Sequence, residues 1–235
     1  MILPEVRLAI ALRFLAGGQI LDLKDLYHVG KTECYRSIYM VVDSLNENIK
    51  IEFPIDDLNK LDVLEAEFAA RSRRQVWRGQ VGAVDGCHFA QKNPGKAVPN
   101  PNKYYVARKA MYALLAIATC DAHRRFLDID ISQTPNTHDS TAFSHSTLGA
   151  RIAAGDLPYP YFLNGDNAFV CSRSMITPVN TMEFTDFDFE QSSNRMAIEC
   201  AFGQFSFRIN VQSCHLHFSC EQVSWSDVGV FFGAP

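Results

Sequence analysis

The chain has no apolar run of about twenty residues, the length a helix needs to span a bilayer. Its longest nearly uninterrupted apolar stretch, Ala110 to Cys120, has eleven, which leaves no candidate for a transmembrane helix. A secretory leader is not expected from this start either, because Glu5, Arg7 and Arg13 break the apolar stretch MILPEVRLAIALRFL that an export signal would keep intact. An intracellular protein with no membrane association is expected. There is no C-x-x-C pair, and seven cysteines are an odd number, which argues against a disulfide framework and for free thiols in a reducing compartment. Cys214, His215, His217 and Cys220 cluster near the end, but neither pair has a usual zinc-finger spacing, so chance clustering is the simpler reading. Basic excess is lacking as well: 22 Lys and Arg against 26 Asp and Glu give a net charge of −4. G-x-S-x-G, H-E-x-x-H and Walker A signatures are absent, which removes the common serine-hydrolase, zincin and P-loop chemistries.

What the chain does have is a globular composition, 47% hydrophobic and 20% charged over 235 residues, which excludes disorder and suits one large domain with or without a small one. Charge is distributed unevenly. Residues 81–130 carry 7 basic and 4 acidic side chains, whereas 131–210 carry 4 and 8. Lys92, Lys96, Lys103, Arg108, Lys109, Arg124 and Arg125 could therefore follow a phosphate backbone, since that attraction depends on the local field; a solvated face explains them equally well.

From Pro4 to about Arg78 the apolar pattern is helical. Leu8, Leu12 and Leu15 mark a first helix ended by Gly17-Gly18, and Leu23, Leu26 and Tyr27 mark a short second one. His28-Val29-Gly30 forms a turn, and Cys34, Ile38, Val41, Val42 and Leu45 mark a third helix. Two helices joined by a tight, Gly-containing turn have the form of a helix-turn-helix, whose second helix would present Lys31, Thr32, Glu33, Tyr35 and Arg36 to phosphates and base edges. A helical cap without DNA contact fits the same pattern. A further helix is expected over about 57–71, followed by a basic junction of Arg71, Arg73 and Arg74.

After Arg78 the period changes. Strands are expected over 81–85, 112–120, 126–131 and 161–165, the first three as an antiparallel meander, with helices over 138–154 and 192–209. The last helix carries Ile198, Phe202, Phe205 and Ile209 on one face. A mixed α/β domain follows.

Two of these strands end in an aspartate next to glycine, Val84-Asp85-Gly86 and Asn164-Gly165-Asp166. Taken singly, each fits a turn former or helix cap. Glu199 lies at the margin of the last helix's apolar face, where Arg195, four residues earlier, offers a helix-surface ion pair worth a few tenths of a kcal/mol. If the three carboxylates instead converge to about 5 Å, each like-charged pair costs roughly 3 kcal/mol at an effective dielectric near 20. A hard cation such as Mg²⁺ or Mn²⁺ would offset that repulsion. Such acids suit phosphodiester hydrolysis and strand transfer, with water or a 3′-hydroxyl as nucleophile.

Five stretches carry a resemblance: VGAVDGCHFAQKNP, YYVARKAMYALLAIATCDAHRRFLDIDI, PNTHDSTAFSHSTL, LPYPYFLNGDNAFV and SSNRMAIECAFGQFSFRI. In this order, from about Gln80 to Ile209, they resemble the successive blocks of Harbinger/PIF-type transposases and their domesticated relatives, nucleases of the DDE superfamily. LRFLAGGQILDLKDLYHVGKTECYRSI resembles the helix-turn-helix region that precedes the nuclease in that family. The resemblance implies an α/β fold, a ribonuclease-H-like mixed sheet with flanking helices, preceded by a small helical helix-turn-helix region.

The implied divisions are 1–77 for the DNA-binding region, 78–210 for the endonuclease domain and 211–235 for an atypical tail. By block matching, Asp85, Asp166 and Glu199 are the catalytic, metal-holding residues for Mg²⁺ or Mn²⁺. His88, His138 and Asp139 are candidates for support of the metal shell, with helix capping as an equal reading for Asp139. Tyr104, Arg108 and Lys109, like Lys31 and Arg36, are candidate DNA contacts, against a solvated strand edge as the alternative. DNA, a separate Myb-like DNA-binding protein and a second copy of the chain are the implied partners, and the nucleus is the implied location.

Two departures stand out. Asn167-Ala168-Phe169 replaces the family's usual Gly-Tyr after the second aspartate, and the tail from Val211 has no Lys or Arg and no amphipathic repeat, as a frameshift, a misread intron or a decayed transposon copy would leave it. A shortened start is expected as well, because the chain begins already inside the helical region. The leading reading is a metal-dependent DNA endonuclease; the alternative is a domesticated or decayed, catalytically silent DNA-binding or interaction protein. A structural protein with no DNA role is a third option.

Overall fold

The computed structural model describes residues 2–73, 77–179 and 185–208. The Cys214, His215, His217 and Cys220 cluster, the tail, Arg74 and Ile209 lie outside them. The described residues form two compact units, one within 2–50, 89–113 and 204–208, the other within 51–88 and 114–203.

The first unit opens with three helices. α1 (Pro4–Leu15) starts with proline in its first turn, where the missing N–H costs nothing. α2 (Ile20–Tyr27) ends on His28 in the left-handed conformation, and Gly30 caps α3 (Lys31–Asn48), so the turn falls where the sequence pattern placed it. Ile10, Ala11, Phe14 and Leu15 of α1 are buried, as are Cys34, Ile38 and Val42 of α3. Arg7 donates to the Ser37 hydroxyl at 3.1 Å and pairs with Glu33 at 3.7 Å.

The sheet has six strands: β1 (Gln80–Gln91), β2 (Tyr105–Val106), β3 (Met111–Cys120), β4 (Phe126–Asp130), β5 (Phe162–Asn164) and β6 (Met175–Ile176). Their order is β2-β3-β1-β5-β6, with β4 also pairing β3. β3 and β4 are antiparallel, while β5 runs parallel to both β1 and β6. Helices α4 (Leu58–Arg71), α5 (Asp139–His145), α6 (Thr147–Ala154) and α7 (Asp186–Arg208) are the other α-helices of the described residues. This is a mixed α/β fold of the ribonuclease-H-like kind, as the resemblance implied.

In the second unit the core joins Phe53, Leu61 and Leu64 to Val81, Val84, Leu115, Phe143 and Leu163. Asp57 caps α4, its carboxylate accepting from the Lys60 N–H at 3.2 Å.

Several boundaries differ from the sequence reading for identifiable reasons. The strand expected over 81–85 continues to Gln91 because β1 is hydrogen-bonded to β3 as well as to β5. Asp85 therefore lies within a strand. The helix expected over 138–154 is two helices, broken at Ser146. Its hydroxyl donates to the Phe143 carbonyl at 2.7 Å and accepts from the Gly149 N–H at 2.9 Å, ending one helix and capping the next. Gly149 permits the break, since a Cβ there would lie 1.8 Å from that carbonyl oxygen. The last helix begins at Asp186, six residues earlier than its apolar pattern, because its first turns bury polar groups: Asp188, Glu190, Gln191 and Asn194.

Candidate active site

Asp85 sits where β1 turns from a fully buried run, Val81 to Val84, to a half-buried one. Its Oδ1 accepts the Gly86 N–H at 2.8 Å. Burial pushes the carboxyl up to about 6, because a charge in a low dielectric is disfavoured. The Gly86 hydrogen bond opposes that shift, the negative charge of Asp166 adds to it, the Arg195 guanidinium opposes it and Asp139 adds to it. Asp85, Asp139, Asp166 and Arg195 thus share one electrostatic neighbourhood.

Asp166 reaches it through the parallel pairing of β1 and β5. The register runs Gln80 to Phe162, Gly82 to Leu163 and Ala83 to Asn164, so Asp85 and Asp166 each stand two residues beyond the last of these pairs. Asp166 Oδ1 accepts the Ala168 N–H at 2.8 Å, which folds the chain sharply after the strand. Gly165 is required at that corner, since a Cβ would lie 2.9 Å from Phe169 and 3.1 Å from the Met175 sulfur.

Asp139 arrives through tertiary packing. It is the first residue of α5, with His138 in the capping position, and its carboxyl would be 2.6 Å from a Cβ on Gly86. His88 lies on β1, and its Nε2–H donates to the Pro135 carbonyl at 2.7 Å, tying the strand to the loop that leads to Asp139. His138 is exposed, with Nδ1 3.0 Å from the Ser140 hydroxyl.

Glu199 lies differently. It is exposed on α7, and its Oε1 is 2.5 Å from Arg195 Nη1. The acids have the oxygen donors a hard divalent cation takes, and the like charges around Asp85 are what such an ion would offset. The full set does not fit such an ion as folded: among the described residues no three His, Cys, Asp or Glu side chains gather to hold a metal.

An amide network that the sequence pattern did not reveal fixes α7 against β5. Asn164 Nδ2 donates to Gln80 Oε1 at 3.1 Å and to the Gln191 carbonyl at 2.9 Å. Gln191 Nε2 returns bonds to Asn164 Oδ1 at 2.8 Å and to the Gly165 carbonyl at 2.7 Å, and Trp77 Nε1 donates to Gln80 Oε1 at 2.6 Å. All three amide side chains are buried. The available sequence signal was a polar Asn164 closing an otherwise apolar strand.

In the other unit, Lys31 and Arg36 are exposed on α3, Arg36 lying 3.4 Å from Glu33. Tyr104 is half-buried, and Arg108 and Lys109 are exposed on the short 3₁₀ turn before β3. Cys34, Cys87, Cys120, Cys171 and Cys200 are not joined in disulfides. Among the described residues, no helix is long and apolar enough to cross a membrane.

A ribonuclease-H-like sheet with acids beyond the paired ends of two parallel strands is an arrangement suited to nucleases that cut phosphodiesters. The DDE superfamily endonuclease family matches residues 84–222, more than half of the chain and inclusive of Asp85, Asp139, Asp166 and Glu199. The chain belongs to that family. Its endonuclease domains generally use divalent metals and act on DNA. No curated protein and no solved structure matches the chain.

Proposed function

We propose that this protein is a transposase-derived DNA nuclease of the Harbinger/PIF type, dependent on Mg²⁺ or Mn²⁺, with Asp85, Asp166 and Glu199 as its catalytic carboxylates. The observation that carries the reading is the parallel register of β1 and β5, which sets Asp85 level with Asp166, with the Asp139 carboxyl packed at Gly86 and the Asp85 carboxyl raised by burial and by these neighbours, inside the matched family segment. Electrostatic crowding of this kind is costly to a fold and typical of sites that do chemistry. Asp139 supports the site from Gly86, and His88 holds the loop on which it arrives. Hydrolysis by water, or strand transfer by a 3′-hydroxyl, is the proposed reaction at the phosphodiester.

The helix-turn-helix of α2 and α3, with Lys31 and Arg36, and the turn with Tyr104, Arg108 and Lys109 are the proposed DNA contacts. The divisions 1–77 and 78–210 are proposed as DNA-binding and nuclease regions. A nuclear location, a Myb-like partner and self-association follow from the resemblance to Harbinger/PIF-type proteins.

The Arg195–Glu199 ion pair favours a second reading: a silent protein that binds DNA and retains the acids by descent. Nicking of supercoiled plasmid in Mg²⁺ or Mn²⁺ separates the two. Metal-dependent nicking that Asp85→Asn abolishes is the expected result; binding without nicking in either chain establishes the silent form.

A further inference from the structure

We propose that the groove between α5, α6 and the loop leading into β6 receives one unpaired nucleotide of a DNA strand, its base against an apolar floor and its phosphate on Arg173. The proposal rests on the reading of Asp85, Asp139 and Asp166 as a site that acts on DNA, and it names the form of DNA taken beside those acids.

The groove is open to solvent and encloses about 370 Å³, within the range of pockets that hold small organic groups. Its walls all belong to the second unit. Phe143, Ile152, Phe169 and Met175 make it apolar, and the two phenyl rings meet edge to face with centroids 5.8 Å apart. Two features of the chain place it beside the acids. Phe169 and Met175 pack on Gly165, where a Cβ would lie 2.9 Å from the ring and 3.1 Å from the sulfur, so this wall rests on the residue before Asp166. Ser140, on the other wall, follows Asp139 at the start of α5.

Arg173 decides what the groove takes. It lines the groove, its guanidinium lies over the Tyr159 ring at 5.1 Å from the centroid, and among the described residues it has no carboxylate partner. A guanidinium laid on a ring keeps its N–H edge for an acceptor, and a phosphate takes that edge with two parallel hydrogen bonds. An apolar floor beside an unpaired cation calls for a ligand that joins a flat apolar body to an anion. A nucleotide is such a ligand, and the four serines of the lining offer hydroxyls to the polar edge of its base. Inside a duplex the base is covered on both faces by its neighbours, so only a nucleotide out of the stack can reach the floor. A peptide that carries a large apolar side chain next to a carboxylate is the competing occupant. The adjoining acids, which act on DNA in this reading, favour the nucleotide.

The test compares the affinity of the full chain for a short, fully paired duplex with that for the same duplex carrying one bulged nucleotide, by fluorescence anisotropy without divalent ions. The same pair of duplexes is measured on Arg173→Gln and Ala153→Phe. Ala153 lines the groove from an exposed position on α6, so the larger side chain fills the groove without entering the core. The natural chain should bind the bulged duplex at least about fivefold more tightly, the lower end of what one stacked base contributes. Both replacements should bring the two affinities together by weakening the bulged complex alone. Retained affinity for the paired duplex marks a folded variant; Ala153→Leu replaces Ala153→Phe should that one fail. Equal affinities in the natural chain, or a preference that survives either replacement, overturns the nucleotide groove and leaves the peptide as its occupant. The nuclease reading then still stands if nicking in Mg²⁺ requires Asp85. Loss of binding to both duplexes in the natural chain, together with no Asp85-dependent nicking, overturns both readings.

Discussion

The Asp139 carboxyl group lies 2.6 Å from the position a Cβ on Gly86 would occupy, so the glycine after Asp85 is the space into which a third acid packs. Gly86→Ala should force that carboxylate away and cost about 1–3 kcal/mol, as overpacking does. The cost should shrink in an Asp139→Gly background, as a double-mutant cycle of urea denaturation would reveal. Additive costs would mean that the two residues do not touch in solution.

A pH dependence follows from β4. Burial first, then the charges of Asp130 and Glu52, push the Asp128 carboxyl up to about 7, and burial also raises Asp130, against the Ser132 hydrogen bonds. The folded chain keeps a proton on Asp128 that the unfolded chain loses near pH 4. Stability contributed by this group is complete below that point and falls as the pH rises toward 7, by at most about 1.4 kcal/mol per pH unit. Asp128→Asn should be more stable than the natural chain at pH 8 and little changed at pH 4.5. The same gain at both pH values would remove titration as the cause.

The amide network makes a stability prediction. Gln191→Leu strands Asn164 Oδ1 and the Gly165 carbonyl, and each buried group left unpaired costs about 1–3 kcal/mol. The midpoint of urea unfolding should fall with an unchanged slope. Asn164→Leu combined with Gln191→Leu should cost less than the sum of the single changes, because the partners leave together.

Arg108 and Lys109 test the DNA path. Their joint replacement by alanine should weaken binding alike for all sequences and lower the logarithmic salt slope by about two, one per lost phosphate contact. Fluorescence anisotropy with two unrelated duplexes at several salt concentrations measures both quantities. An unchanged slope would take the turn before β3 off the DNA.

Local patterns made much of this molecule legible from its sequence. Apolar spacing located α1 and the helices around His28-Val29-Gly30, although Leu8, Leu12 and Leu26 are exposed and Ile10, Ala11, Phe14 and Leu15 form the buried face of α1; apolar runs located β3 and β4, and the glycine-flanked Asp85 and Asp166 stood out before their neighbourhood was visible. These features depend on contacts within a few residues, where the helical and strand periods are written directly into the chain. Contacts between distant residues carry no such period, and only the tertiary structure decided them. Parallel pairing of β1 with β5 brings Asp85 and Asp166 together across eighty residues of chain, and packing of α5 sets Asp139 on Gly86. The amide bonds among Gln80, Asn164 and Gln191 fix α7 against β5, while Glu199, paired with Arg195, stays at the surface.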